Sequence, residues 1–330
     1  MKATALANSN IALVKYWGKR DERKILPMNS SLSVTLDGLY TTTTVEFSPR
    51  YRADQVRLGG RELKGEEKRR VVKHLDLVRS LAGVTERARV ESRNSFPTAA
   101  GLASSASGFC ALSLAASAAA GIGLDTKNLS VLSRLGSGSA TRSVYGGFVE
   151  WQKGKKADGS DSCAVQLGDE HHWKNFRMIT TIVETSKKTV SSRAGMRDTV
   201  KTSPLYGAWL DTVEADLKAV RKGIRQRNLR LVGETAELNC LKMHATMMTT
   251  TPRVLYWVPA TVEVLRAVAG WRAQGETCWF TIDGGPNVKV ICSAKAAPRL
   301  ARRLQGLKGV KKVLVCEPGP GARLSARHLF

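Results

Sequence analysis

The pattern of apolar and polar positions opens on a strand-like apolar segment. It ends at a basic and aromatic run, Lys15-Tyr16-Trp17-Gly18-Lys19-Arg20. Residues 31–36 and 40–47 read as two strands, and the Asp37-Gly38 pair between them predicts a hairpin turn. The β-branched run 41–44 belongs to the second strand rather than to a linker. Helical spacing of apolar residues predicts a helix over 66–81. A strand around Val90 leads into a turn marked by Pro97 and Gly101, and 102–120 has the length and the Ala, Leu and Ser content of a buried helix. A helix over 129–135 stops at Gly136, a strand begins over 147–151, and 157–162 is a polar turn. The β-rich run 177–184 opens a second half. Helices follow over 205–225, 229–248 and 260–274, then strands over 278–282 and 288–292 flanking Gly284-Gly285-Pro286. A helix over 297–304 and a strand over 312–316 complete an α+β chain, with a predicted division into 1–173 and 174–330.

Length and composition agree with two soluble domains: 330 residues, 42% hydrophobic and 24% charged. The run 101–124 is long enough for a membrane span, but Ser104, Ser105, Ser107, Ser113 and Ser117 interrupt it and alanine is only weakly apolar. Lys15, Lys19, Arg20 and Asp21 end the opening apolar run too early for a signal peptide, and the terminal Ser-Ala-Arg-His-Leu-Phe matches no anchor or address. The expectation is therefore a cytoplasmic protein without a membrane partner. Six scattered cysteines without a Cys-x-x-Cys pair read as reduced thiols, and His171 and His172 have no ligand cluster around them. Lysine and arginine total 52 against 28 acids, a formal charge of +24. That surplus favours anionic partners such as polyphosphates, nucleic acid or acidic membrane. Lys218, Arg221, Lys222 and Arg225, and separately Lys308, Lys311 and Lys312, read as solvated basic faces. Neither group is interleaved with the aromatics of a single-strand-binding platform.

The segment from Pro97 to Ser107 carries the clearest chemistry. Free N–H groups at a helix start, the helix dipole and the hydroxyls of Ser104, Ser105 and Ser107 suit a phosphate. Small residues there equally suit tight packing. There is no Gly-x4-Gly-Lys-Ser/Thr, and Gly136-Ser-Gly-Ser-Ala-Thr141 lacks the last glycine of a dinucleotide fingerprint. Asp283, where a strand meets a Gly-Gly-Pro turn, suits a proton acceptor, or else a side chain that bonds its own turn. Lys15 and Tyr16 offer a point charge and a phenol, or else form a basic loop with an aromatic anchor. Arg142, six residues past Gly136, suits bidentate carboxylate recognition. Lys187, Lys188, Ser191, Ser192 and Arg193 combine cations and hydroxyls in one loop, as phosphate sites and ordinary surface loops both do.

Together these stretches resemble the mevalonate diphosphate decarboxylase family of the GHMP kinase superfamily over nearly the whole chain. The resemblance rests on Asn8-Ser-Asn-Ile-Ala-Leu-Val-Lys-Tyr-Trp-Gly-Lys-Arg20, Leu26-Pro-Met-Asn-Ser-Ser-Leu-Ser-Val-Thr-Leu36, and Asn94 through Ser107. It rests also on Gly136 through Gly147, Val190-Ser-Ser-Arg-Ala-Gly-Met196 and Asp283-Gly-Gly-Pro-Asn287. Gly284 stands where alanine is usual, and Ser95 replaces a frequent asparagine.

The resemblance implies a two-domain GHMP-kinase fold: an N-terminal α/β domain with the phosphate-binding turn, a C-terminal ferredoxin-like domain, and the active site in the cleft between them. It implies ATP- and Mg²⁺-dependent decarboxylation of mevalonate 5-diphosphate in isoprenoid and sterol biosynthesis, by a homodimer with no specific nucleic-acid partner. Carried over by position, Asp283 is the catalytic carboxylate, Lys15 lies beside it and the transferring phosphate, and Arg142 holds the substrate carboxylate. Tyr16, Ser139, Ser192 and Arg193 surround the diphosphate. Ser92, Gly101, Ser104, Ser105 and Ser107 contact ATP, and no protein metal ligand is assigned. The alternatives are a 3-kinase or monophosphate decarboxylase of the same superfamily, or a nucleic-acid-binding protein suggested by the charge.

Overall fold

The computed structural model describes residues 1–96, 104–185 and 189–330. Strand β1 (Lys2–Val14) is followed by the short hairpin β2 (Lys19–Asp21) and β3 (Leu26–Pro27), then by the long strand β4 (Ser31–Phe47). Strands β5 (Gln55–Leu58) and β6 (Arg61–Glu62), helix α1 (Gly65–Ala82) and strand β7 (Ala88–Asn94) lead to helix α2 (Ser104–Ala119). Helix α3 (Thr126–Gly136), a 3₁₀ turn (Gly138–Val144), β8 (Phe148–Trp151) and β9 (Ala164–Gly168) complete the first half. The second half runs β10 (Phe176–Ile182), α4 (Ser192–Thr202), α5 (Tyr206–Arg225), α6 (Leu229–Met248), α7 (Pro259–Ala273), β11 (Cys278–Ile282), β12 (Val288–Ser293), α8 (Ala297–Gln305) and β13 (Lys312–Cys316). A last strand, β14 (Arg323–Ser325), returns to the first half and pairs with β1.

The first sheet runs β14-β1-β4-β7-β5-β6, with β8 and β9 added through β4. The hairpin expected around Asp37-Gly38 is absent. β4 continues through that pair, because the long β1 pairs with both of its halves, Asn8 with Tyr40 and Asn10 with Thr35. The intervening residues form a bulge, and Gly38 takes a φ of +77° that suits glycine. Helix α2 lies against β1 and β4 with its small residues facing the sheet. Two of its buried serines bond inside the helix: Ser113 donates to the Phe109 carbonyl and Ser117 to the Ser113 carbonyl, each at 2.7 Å. No helix among the described residues is long and apolar enough to cross a membrane.

The second sheet has the antiparallel order β11-β12-β10-β13. Taken in chain order that is 2-3-1-4, the ferredoxin-like arrangement. The two halves share one continuous apolar cluster. Ile11, Leu13, Trp17, Leu32 and Phe148 pack with Trp173, Phe176, Trp209, Val213 and Ile224. Arg221 belongs to this junction rather than to a solvated basic face. Its Nε and Nη2 both donate at 2.7 Å to Glu150 on β8. Lys218 and Arg225 remain exposed.

Candidate active site

Asp283 immediately follows β11, and its carboxylate does not serve its own turn. The turn is closed by its backbone carbonyl, which accepts from the Gly285 N–H at 2.6 Å. Asn287 anchors the far side, its Oδ1 accepting from the Val183 and Glu184 N–H groups at 2.7 and 3.1 Å. The carboxylate is left to face cations. Lys15 Nζ donates to Oδ1 at 2.8 Å, and Lys289 Nζ lies 3.9 Å from Oδ2. Both lysine side chains are 1% exposed and Asp283 is 27% exposed. Burial alone pushes the Asp283 carboxyl up, but Lys15, Lys289 and Arg142 overcome it and hold the group at about 2.

Arg142 lies in the 3₁₀ turn, buried. Its Nε donates to Asn10 Oδ1 at 3.2 Å and its Nη1 to Ser31 Oγ at 2.6 Å. Asn10 is itself fixed by donating to the Ser139 carbonyl and to Ser143 Oγ at 3.0 and 2.8 Å. Burial lowers the Arg142 guanidinium to about 10, against the pull of Asp283 and Tyr16, so it stays charged at neutral pH. The Tyr16 hydroxyl is buried without a hydrogen-bond partner among the described residues. Burial, reinforced by Glu22, raises its pKa, so it stays a phenol able to donate. Such an orphaned group at a cavity wall suits a ligand that can accept its hydrogen bond.

One cavity of about 350 Å³ gathers these groups. The first half contributes Lys15, Tyr16, Ser104, Ser105, Ser139 and Arg142 to its wall, and the second half contributes Ser192, Arg193 and Asp283. Ser192 and Arg193 do not sit in an irregular loop. Ser191 caps α4 by accepting from the Ala194 N–H at 3.2 Å, so they form its first turn. Arg193 reaches back to donate to the Gly136 carbonyl at 3.1 Å. A second cavity, also of about 350 Å³, adjoins the first, with Ser104, Ser105 and Arg70 on both walls. Its floor includes Val56, Leu58, Phe109 and Leu112, and Ser92 lies on its wall. Ser107 is set apart from both. It points into the sheet, where its hydroxyl meets Thr41 at 2.7 Å and Ser9 at 3.3 Å. Gly101, Lys187 and Lys188 lie outside the described residues.

Sequence reading missed Asn10, Ser31, Arg70 and Lys289. Lys289 had a visible signal, a lysine inside an otherwise apolar strand. Arg70 had none, being one cation among several on α1. Burial and the neighbouring Arg193 lower the Arg70 guanidinium to about 10, and its Nε has no partner among the described residues. At Gly284 a Cβ would meet Trp17 Cζ3 at 2.9 Å and Ser192 Oγ at 3.3 Å. Gly138 is equally tight, since its Cβ would lie 2.8 Å from the Tyr16 hydroxyl and 2.9 Å from Trp151. Gly138→Ala should therefore displace the phenol and cost roughly 1–3 kcal/mol. A melting temperature equal to wild type would refute that.

Among the described residues, the cleft between the two α+β halves is walled by cations, hydroxyls, one carboxylate and two helix starts, a lining that suits phosphate groups. Sequence comparison resolves the family. The profile described as diphosphomevalonate decarboxylase-like N-terminal domain matches residues 7–164, and that of the mevalonate 5-diphosphate decarboxylase C-terminal domain matches 178–318. Diphosphomevalonate decarboxylase from Bos taurus is 40% identical over 306 residues, covering 87% of this chain and 76% of the relative. The Homo sapiens protein is likewise 40% identical, over 307 residues with the same coverage. A solved structure described as MDDEF in complex with MVAPP, AMPPCP and magnesium superposes with a TM-score of 0.92 at 42% identity, covering 98% of this chain and 99% of the other. Mevalonate diphosphate decarboxylase from Staphylococcus aureus gives 0.92 at 40% identity, covering 98% of each chain. The chain belongs to the diphosphomevalonate decarboxylase family.

Proposed function

We propose that this chain converts mevalonate 5-diphosphate and ATP into isopentenyl diphosphate, carbon dioxide, ADP and phosphate. The observation that carries this reading is the shared cavity. It sets one carboxylate from the C-terminal half opposite the serine-bearing start of α2 and surrounds both with cations. The apolar second cavity behind Ser104 and Ser105 suits a nucleoside base, with Arg70 at the junction facing its phosphates. The first turn of α4, with Ser192 and Arg193, and the Tyr16 phenol suit the substrate diphosphate. Among the described residues, the first cavity's wall offers hydroxyl oxygens and a single carboxylate, with no thiol or imidazole. That donor set fits Mg²⁺ held mainly by phosphate oxygens, with Ser104 and Ser105 as the protein side. The ion would neutralise charge on the phosphates.

Asp283 faces the tertiary hydroxyl in this reading. A carboxylate held near 2 is a weak base toward an alcohol in the ground state. It becomes a competent acceptor once the oxygen–phosphorus bond starts to form, because the attacking oxygen is then strongly acidic. Phosphoryl transfer through a loose transition state asks for positioning and charge neutralisation more than for early deprotonation. Asp283 takes the proton as the bond forms, and Lys15 faces the transferred group. Phosphate then leaves with its bonding pair, giving a tertiary cation. The pair of the adjacent carbon–carboxylate bond fills it, forming the double bond and releasing carbon dioxide. Arg142 orients that carboxylate. The test is to incubate the protein with ATP, Mg²⁺ and the 5-diphosphate or the 5-monophosphate, measuring ADP and carbon dioxide together. ADP without carbon dioxide would make it a kinase, and neither product would overturn the reading.

We extend the proposal to a cytoplasmic homodimer divided near residue 173. Leu238, Leu241 and Met248 expose an apolar stripe along one face of α6, which a second copy would cover. Sedimentation as a monomer at micromolar concentration would exclude it.

A further inference from the structure

Lys15 and Asp283 come from opposite halves of the chain, yet one helix mounts both. β11, which carries Asp283 at its end, is an edge strand of the second sheet. Two of its outward N–H groups are taken by side chains of α6. Phe280 N–H donates to Glu237 Oε2 at 2.9 Å, and Ile282 N–H donates to Cys240 Sγ at 3.0 Å. Helix α6 thus does for this edge what another strand would do. Between those two residues, Asn239 turns to the other half. Its Oδ1 accepts the backbone N–H of Lys15 at 2.8 Å, and Asn239 is 0% exposed. Its Nδ2 donates at 2.7 Å to Asp216 Oδ2 on α5, which also accepts from Lys242 Nζ at 2.6 Å. From the opposite side, Asn29 Nδ2 donates to the Lys15 carbonyl at 2.8 Å.

We infer that Asn239, oriented by Asp216, is a positioning residue that sets the Lys15 backbone so that its ammonium meets Asp283. This rests on the decarboxylase reading above. The amide has a defined sense: its oxygen must face Lys15 because its nitrogen is claimed by Asp216. Without Asp216 the amide could turn over and present a donor to a donor. Its neighbour Cys240 holds the peptide just before Asp283, so Asn239 and Cys240 together fix the separation of the ion pair.

The test uses Asn239→Leu, which keeps the volume but removes the acceptor, and the pair Asn239→Asp with Asp216→Asn, which reverses the polarity. In the pair, the carboxylate now on α6 accepts from the Lys15 N–H and the amide now on α5 donates back to it, so the mount is restored. Asn239→Leu should lower kcat by roughly 10–100-fold, the penalty of a small misplacement. KM for both substrates should stay within about threefold, and the pair should recover most of kcat. Hydrogen exchange of the Lys15 amide should quicken in Asn239→Leu and slow again in the pair, a readout independent of turnover. Wild-type kcat in Asn239→Leu, or a paired variant that does not fold or is no more active than Asn239→Leu, overturns the inference. If Asn239→Leu does not fold, the paired variant decides alone, by the same kcat and exchange criteria against wild type. A wild type without carbon dioxide release overturns the functional reading instead, and the exchange pattern still decides whether Asn239 mounts Lys15.

Discussion

Asp283→Asn should lower turnover by at least about 10²–10⁴-fold, the usual range for a lost positioned base, while ATP and the diphosphate still bind. The two side chains have the same shape, so the change removes charge and proton affinity and little else. Lys15 and Lys289, each 1% exposed, then lose their carboxylate and leave the cavity more positive. Anionic ligands should therefore bind at least as tightly as to wild type, which separates a chemical role from a binding role. Stability should fall as well. Breaking a fully buried pair costs about 3–5 kcal/mol, and the partial exposure of Asp283 brings the expected loss below that range. The sign of the pH dependence follows from the depressed carboxyl, about 2 in the folded chain. Against an unfolded aspartate near 3.9, its stabilisation is complete above about pH 4 and fades as pH falls toward 2. The difference in unfolding free energy between wild type and variant should be flat at neutral pH and narrow in acid. Turnover within tenfold of wild type, in a folded variant that binds ATP, would remove Asp283 from the chemistry.

Much of this arrangement is legible in the chain, and the parts that are not share a cause. Periodicity locates four of the five helices of the second half to within a residue or two, but α4 (Ser192–Thr202), whose first residues read as a polar loop, escapes it. The 229–248 pattern coincides with α6, Leu229–Met248. Local turn chemistry misleads where a distant strand overrides it. Asp37-Gly38 is a strong hairpin signal, yet β1 is long enough to pair on both sides and turns it into a bulge. The converse holds at Gly59-Gly60, whose φ values of +58° and +82° make the tight turn between β5 and β6. Those strands are too short and polar to show as alternation, although β5 walls the second cavity. Charged residues in motif-like stretches announce themselves. The polar residues that hold them do not: Asn10 and Asn239 acquire meaning only when Arg142 and Lys15 are brought beside them. The serine-rich helix start illustrates the limit. Ser104, Ser105 and Ser107 look alike in sequence, but the turn of the helix sends the third into the sheet while the first two face the cavities.

The second large effect is expected at Arg142. Arg142→Lys keeps the positive charge but should lower kcat/KM for the diphosphate substrate by about 10²-fold, mainly through weaker and less directed carboxylate binding. Only a guanidinium can donate simultaneously to Asn10 Oδ1, to Ser31 Oγ and into the cavity, because its donors leave one planar group in different directions. An ammonium on a flexible stem must choose among them. Folding should survive the exchange, since Asn10 keeps its bonds to the Ser139 carbonyl and Ser143 Oγ. The chemistry demands direction more than strength. The bond to the departing carboxylate must align with the orbital emptied by phosphate loss, yet too firm a grip would oppose its conversion to neutral carbon dioxide. A lysine supplies attraction without alignment, so product formation should fall even when substrate is saturating. ADP should decline as the substrate is held less well, and carbon dioxide should fall at least as far, because lost alignment acts on the later step. Wild-type affinity for the diphosphate together with wild-type turnover in a folded Arg142→Lys variant would show that the guanidinium does not hold the substrate carboxylate.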